Sequence, residues 1–197
     1  MPNDPLIPRF VDPDRQPRSR IRSRGELPHL YKSGATYFIT FRLADAVAPA
    51  NLRPAAHIPP SDPETIAAGS EPPLTQGSCC LGKPDNASLV RGALLHFHPA
   101  RYFLRAWCIM PNHVHAVVTV KPPYDPSHIL HSWKSFTAKK INALAGTTGI
   151  FWERESFDHL CRSPRHVDRF MTYTLNNPVA AGFCSTWEQW PWSGRNV

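Results

Sequence analysis

One short segment limits the fold of this chain more than any other. Residues 107–120 have the sequence WCIMPNHVHAVVTV, in which Pro111-Asn112, a pair typical of tight turns, separates two apolar runs. The pattern predicts a hairpin of two strands, Tyr102–Met110 and His113–Val120. Because side chains alternate along a strand, His113 and His115 are expected on the same face. The chain is therefore expected to form an antiparallel sheet around this hairpin.

The two histidines of the hairpin suggest a metal site. Imidazoles one residue apart on a strand converge on one point, as two ligands of a single ion must. Imidazole suits Zn, Cu, Fe and Ni, and a site completed by oxygen donors and phosphate can also hold Mg or Mn. The chain has 10 histidines, so this pair alone is a weak signal and needs support from other residues.

The length and composition indicate a single domain, and the net charge favours a polyanionic partner. The length of 197 residues allows a real core, and the net charge of +7 favours binding to phosphate-rich ligands. The five cysteines have no CxxC spacing, which predicts free thiols in a reducing cytoplasm. No apolar run approaches the ~18 residues of a membrane span, so no membrane segment is expected.

Two proline-rich stretches are expected to lie outside the folded core. Residues 1–30 predict a flexible basic arm, whose arginines suit phosphate contacts. A solvated terminus without a role fits the same composition. Residues 46–85 contain eight prolines and few large apolar side chains, which predicts a mobile loop inserted into the domain.

Periodicity and end signals predict the other elements. Strands are expected at Tyr37–Leu43 and Ser156–Cys161, and helices at 87–97 after the cap Asn86, at 125–145, and at Pro164–Asn177. The resulting β-α-β-β-α-β order is that of the α+β ferredoxin-like split βαβ palm, with an additional C-terminal helix. This fold has an antiparallel four-stranded sheet with helices on one face, and the third strand would be central. A single domain is expected over 31–182, followed by a Trp-rich tail at 183–197.

The last helix carries a polar face beside its packing face. The packing face is predicted to hold Val167, Met171, Thr174 and Leu175. The polar face holds His166, Arg169, Tyr173 and Asn177. Tyr173 and Asn177 are four residues apart and hence neighbours, and Pro178 is expected to end the helix there.

These motifs together carry a family resemblance. MPNHVH, followed about 60 residues later by YTLNNPVAAG, resembles the single-tyrosine HUH transposases, and is most similar to the REP-associated tyrosine transposases. Matching blocks occur in family order at 34–45, 131–142, 151–159 and 190–193. The resemblance covers 31–45 and 86–193, and leaves out the basic arm and the proline-rich insertion.

The resemblance implies a site and a reaction. Tyr173 would be the nucleophile, His113 and His115 the paired ligands of Mg²⁺ or Mn²⁺, and Asn177 the third ligand. The implied enzyme cleaves single-stranded DNA with hairpin ends through a 5′-phosphotyrosine and needs no nucleotide cofactor. It also implies a monomer acting in cis rather than a homodimer. DNA contacts are expected from basic residues of the arm and helices: Arg18, Arg20, Arg22, Arg24, Lys134, Lys139, Lys140 and Arg169.

Two other functions fit parts of the sequence. A split-βαβ sheet with exposed aromatic residues can bind single-stranded RNA without catalysis, although the RNP signature of such domains is missing here. A small metallohydrolase could use the histidine pair with water, but it would need a further carboxylate or histidine that the hairpin does not offer. Cleavage that leaves the protein covalently bound to DNA distinguishes the transposase from these two alternatives.

Overall fold

The structure is a computed structural model that describes residues 7–15, 19–23, 28–46 and 77–196. Its described residues form seven strands and three α-helices. The strands are β1 (Ser19–Ser23), β2 (Pro28–Lys32), β3 (Thr36–Arg42), β4 (Tyr102–Ile109), β5 (His113–Val120), β6 (Phe157–Leu160) and β7 (Ser193–Arg195). The helices are α1 (Pro84–His96), α2 (Pro126–Ala145) and α3 (Pro164–Ala180).

Five of these strands form one antiparallel sheet in the order β6-β3-β5-β4-β7. The predicted ferredoxin-like palm is confirmed, and β5 with its histidines lies at the centre. The fifth strand, β7, comes from the segment that was expected to be a tail. It pairs with β4, and nearby the indole Nε1 of Trp190 donates to the carbonyl of Ile109 at 3.0 Å.

Helices α1 and α2 cover one face of the sheet. Phe41 of β3 packs against Trp133 of α2 and Trp152, with ring centroids 6.1 and 4.8 Å away. The indole of Trp133 donates to the hydroxyl of Tyr102 at 2.9 Å, and that hydroxyl donates to Leu94 of α1 at 2.7 Å. These bonds satisfy the polar atoms of large aromatic residues inside an apolar core.

Helix α3 covers the opposite face. Phe38 and Val117 of the sheet are fully buried there, together with Phe170 and Leu175 of the helix. The predicted packing face was only partly correct, because Phe170 is buried while Met171 is partly exposed. The sheet therefore has helices on both faces, and among the described α-helices α3 is the one on the face of the two histidines.

Described parts of residues 1–30, the segment predicted to be a flexible basic arm, make contacts with the domain. Pro8 accepts a hydrogen bond from Nη2 of Arg105 at 2.6 Å, and Asp14 forms an ion pair with Arg162 at 3.2 Å. Phe10 packs against the core under α3. Strands β1 and β2 pair antiparallel with each other. Proline content alone did not reveal that this segment has docking partners on the domain.

The folded domain also resumes before residue 85, the predicted end of the insertion at 46–85. Residues 47–76 lie outside the described residues, but Leu81 is buried and its N–H donates to Pro111 at 3.0 Å. Helix α1 begins at Pro84 with Lys83 as its cap, three residues before the predicted start. Asn86 is not the cap, since its amide donates to the carbonyl of Cys80 at 2.9 Å.

The other helix ends follow the predicted signals, with one exception. Asp125 accepts from the N–H of His128 at 3.0 Å, and Ser163 from that of His166 at 3.2 Å. The expected end of α3 at Asn177 was wrong, because the helix continues through the buried Pro178 to Ala180. A proline lacks the N–H of one helical bond, and packing of its ring compensates here. No helix among the described residues is long and apolar enough to span a membrane.

Candidate active site

The site begins with the two histidines of the central strand. His113 and His115 are almost completely buried, at 0% and 1% exposure. Their ring centroids lie 4.7 Å apart. Because β5 is paired with β3 on one side and β4 on the other, both imidazoles project from a rigid platform. The predicted placement of the pair on one face is therefore observed.

A neighbouring side chain orients each imidazole. Nδ1 of His113 lies 2.8 Å from Oδ1 of Asn112, and Nδ1 of His115 lies 2.8 Å from Oγ1 of Thr40. An amide oxygen only accepts hydrogen bonds, so Nδ1 of His113 carries the proton and its Nε2 carries the lone pair. When the Thr40 hydroxyl accepts a hydrogen bond from Nδ1 of His115, His115 has the same tautomer, with its proton on Nδ1. Such contacts prepare Nε2 of an imidazole to act as a ligand.

Helix α3 brings the tyrosine to this pair by crossing the sheet. Near its start, the ring of His166 lies 4.9 Å from that of His159 on β6. One turn later, Phe170 stacks on Phe38 of β3 at 4.5 Å. The helix therefore passes over β6 and β3 before it reaches β5.

Tyr173 then meets the central strand. Its ring lies 5.5 Å from that of His115 and 5.8 Å from that of Phe38, edge to face in both cases. Tyr173 is partly exposed, whereas Asn177, one turn further along the helix, is 5% exposed. The structure thus brings His113, His115 and Tyr173 into one contact cluster and buries Asn177 on the same helix.

Two charged residues near the pair were missed in the sequence. Strand pairing sets Arg42 of β3 opposite His113. The Nε–H of Arg42 donates to Oε2 of Glu153, in the segment before β6. Residues that oppose each other in an antiparallel pair point to the same face, so this ion pair lies on the histidine face.

The predicted DNA contacts are spread over the molecule. Arg18 and Arg24 lie outside the described residues, and Arg20 and Arg22 are part of β1. Lys139 and Lys140 are exposed on α2, which covers the face opposite the histidines. Arg169 is exposed on α3, one turn before Tyr173. Of these residues, Arg169 is therefore placed nearest to the tyrosine along the chain.

Lys134 has a structural partner that its sequence context did not reveal. Its ammonium donates to the carbonyls of Glu153 and Arg154, at 2.6 and 3.2 Å. Burial lowers the pKa of Lys134, while Glu153 and Glu155 act in the opposite direction. The residue fixes the segment that carries Glu153.

The donors available for a metal differ from those of a classical zinc centre. Among the described residues, no group of three or more His, Cys, Asp or Glu side chains could hold a metal. Two imidazoles and an amide oxygen from Asn177 would leave coordination positions for water and phosphate oxygens. Such a donor set would accept Mg²⁺ or Mn²⁺ only if phosphate and water supplied oxygens at the remaining positions.

The geometry also bears on the two other functions. An RRM-type domain binds bases on the open face of its sheet, but here α3 covers Phe38 completely. A metallohydrolase would need a further carboxylate or histidine as a ligand, which the described residues do not place with the pair. The packed tyrosine is the feature that neither function requires.

Comparison with known proteins shows which family the candidate site resembles. Residues 98–173, which extend from the end of α1 to Tyr173, match the family of IS200-like transposases. This match includes the histidine hairpin and ends at Tyr173, so the part of the chain that carries the candidate site is the part similar to this family.

Within this class, the similarity is to the REP-associated tyrosine transposases, which confirms the resemblance predicted from the sequence. The REP-associated tyrosine transposase of Escherichia coli strain K12 is 24% identical over 106 residues, which cover 53% of this chain and 62% of that protein. A solved REP-associated tyrosine transposase bound to a REP hairpin has the same fold, with a TM-score of 0.58 at 20% identity. That match covers 86% of this chain and 81% of the other.

Proposed function

We propose that this chain is a metal-dependent endonuclease and strand transferase for single-stranded DNA, acting through a 5′-phosphotyrosine at hairpin-flanked sites. The observation that carries the proposal is the contact of Tyr173 with His115, at 5.5 Å between ring centroids. It joins a nucleophile on a helix to a ligand pair on the central strand. The transposase family match and the hairpin bound by the structural relative support the same substrate.

The proposed reaction exchanges one phosphoester for another. The hydroxyl of Tyr173 loses its proton and attacks phosphorus, while the bond from phosphorus to the 3′ oxygen breaks. The departing oxygen takes up a proton and becomes a free 3′-hydroxyl. Since the new bond conserves the energy of the old one, rejoining to another 3′-hydroxyl needs no nucleotide cofactor.

His113, His115 and Asn177 are the residues that would hold the metal. A bound Mg²⁺ or Mn²⁺ would polarise the scissile phosphate and stabilise its developing charge. The chain contributes the fixed direction of both imidazoles through Asn112 and Thr40. It also contributes an apolar support for the tyrosine, because Phe38 is fully buried and its ring lies 5.8 Å from that of Tyr173.

The same contact supports action in cis by a monomer. Tyr173 and His115 touch within one chain, so one molecule contains both halves of the site. In this arrangement a partner subunit would not have to supply the tyrosine. We therefore propose that each monomer cleaves with its own tyrosine.

The direct test is incubation with a single-stranded hairpin oligonucleotide and Mn²⁺, followed by a denaturing gel. A protein–DNA adduct that requires the metal is the expected result. An RRM-type module would bind the oligonucleotide without an adduct, and a metallohydrolase would cleave it and leave both products free. Either of these results would overturn the proposal.

A further inference from the structure

We propose that Arg42 contacts a phosphate of the bound DNA strand directly beside the histidine pair. The inference rests on the proposed function, because it adds a residue to the same site. Arg42 is not part of the HxH motif or of the tyrosine motif. Its assignment to the site follows from strand pairing and from one ion pair.

Strand register places Arg42 at the site. In the pairing of β3 with β5, Thr40 lies opposite His115 and Arg42 lies opposite His113. The hydroxyl of Thr40 touches Nδ1 of His115 at 2.8 Å, which shows that these opposed side chains share a face. Arg42, two residues further along the strand, shares that face and stands beside His113.

An anchored carboxylate holds the guanidinium in place. Nε of Arg42 donates to Oε2 of Glu153, and the backbone N–H of Glu153 donates to the carbonyl of Arg42 at 2.9 Å. The side chain of Glu153 is 10% exposed, whereas that of Arg42 is 32% exposed. The carboxylate is therefore the buried member of the pair, and the guanidinium is the member that a ligand can reach.

The chemistry of this arrangement suits a phosphodiester. A guanidinium has five N–H donors in a planar fork, and the bond to Glu153 uses the one on Nε. The four donors on the two terminal nitrogens match the spacing of phosphate oxygens. A fixed cation beside the ligand pair would stabilise the charge that develops on phosphorus during transfer.

The test compares Arg42→Ala with Arg91→Ala, which removes the same charge from an exposed position on α1. Adduct formation is measured in single turnover, and binding to a single-stranded oligonucleotide is measured over a range of salt. We expect Arg42→Ala to slow adduct formation by about 100-fold. The slope of log K against log salt should fall by ~0.7, the value for one lost phosphate contact. Arg91→Ala should change neither.

Arg42→Lys separates a phosphate contact from a structural ion pair. The lysine keeps the charge and hence the salt slope, but it should lose most of the rate because an ammonium lacks the fork. Melting temperatures of all variants identify any loss of folding. If Arg42→Ala does not fold, the adduct rate and salt slope of Arg42→Lys test the inference instead. Equal rates and slopes for the Arg42 and Arg91 variants would overturn the inference. If the wild-type protein forms no adduct, the proposed function fails, while the salt slopes still decide whether Arg42 contacts phosphate.

Discussion

At the residue scale, the site depends on how two imidazoles are oriented. His113 is fixed through its own neighbour, Asn112, whereas His115 is fixed across the sheet by Thr40. Both contacts involve Nδ1 and direct Nε2 away from the partner. The metal affinity of the pair should therefore depend on Thr40 as well as on the histidines themselves.

The first prediction concerns metal binding without DNA. His115→Ala should abolish measurable Mn²⁺ binding in calorimetry, because one imidazole and one amide hold a labile ion poorly. Thr40→Val should weaken binding by about 10-fold to 100-fold, as loss of an orienting partner does. His131→Ala, which removes an exposed imidazole on α2, is the control and should bind normally. Equal Mn²⁺ affinity in all three variants would contradict the proposed ligands.

The second prediction concerns the pH dependence of stability. Burial lowers the pKa of His159 to about 4, and the nearby His166 and Arg162 act in the same direction. The unfolded chain has the ordinary histidine pKa of about 6.5, so it binds this proton more readily than the folded chain does. Stability should therefore fall as the pH drops from about 6.5 to about 4.

Chemical unfolding at pH 7 and pH 4.5 measures this effect. His159→Gln, which cannot titrate, should lose less stability between the two values than the wild-type protein. His131→Gln, at an exposed position on α2, should behave like the wild type. If His159→Gln shows the full wild-type loss of stability, another group causes the acid sensitivity.

At the element scale, the edge strand β7 depends on one close approach. A Cβ atom added at Gly194 would lie 2.4 Å from Cζ2 of Trp107 on β4, which is too close for any real contact. Trp107 is itself buried and has little room to move. The glycine is therefore required for β7 to pair with β4.

The third prediction tests this requirement with two alanines. Gly194→Ala should destabilise the protein by about 1–3 kcal/mol, because the added methyl forces strand or indole to shift. Gly92→Ala, within α1, meets nothing within 4 Å and should stabilise by about 0.5–1 kcal/mol. Denaturant unfolding of both variants gives the comparison. Equal stabilities would show that the pairing of β7 with β4 does not require a glycine at position 194.

Elements with a clear local pattern were predictable from the sequence, and long-range contacts were not. The hairpin and the cap-and-proline starts of α2 and α3 all depend on neighbours in sequence. The ion pair of Arg42 and Glu153 joins residues 111 positions apart, and no periodicity reveals it. Strand β7 has three residues, too few for an alternating pattern.

Faces of helices were predictable only in part. Met171 of α3 belongs to the predicted packing face, yet it is partly exposed. Asn177 was placed on a polar face and is buried instead. Helical periodicity fixes which residues share a face, but tertiary contacts decide how much of that face is covered.

At the scale of the whole molecule, the fourth prediction concerns cis action. Tyr173→Phe and His115→Ala should each form no adduct, and their mixture should form none either, because each molecule uses its own tyrosine. The wild-type protein mixed with either variant serves as the positive control. Activity restored in the mixture of the two inactive variants would show that subunits exchange tyrosines, and size-exclusion chromatography would then show a dimer.

The central claim is that Tyr173 becomes covalently linked to the 5′ phosphate of the cleaved strand. The most direct measurement is mass spectrometry of the protein after reaction with a hairpin oligonucleotide and Mn²⁺, followed by protease and nuclease digestion. The peptide that contains Tyr173 should carry a nucleotide phosphate. The same peptide of Tyr173→Phe, which keeps the ring packed against Phe38 and His115, should carry none. A linkage at another residue, or an adduct that persists in Tyr173→Phe, would contradict the central claim.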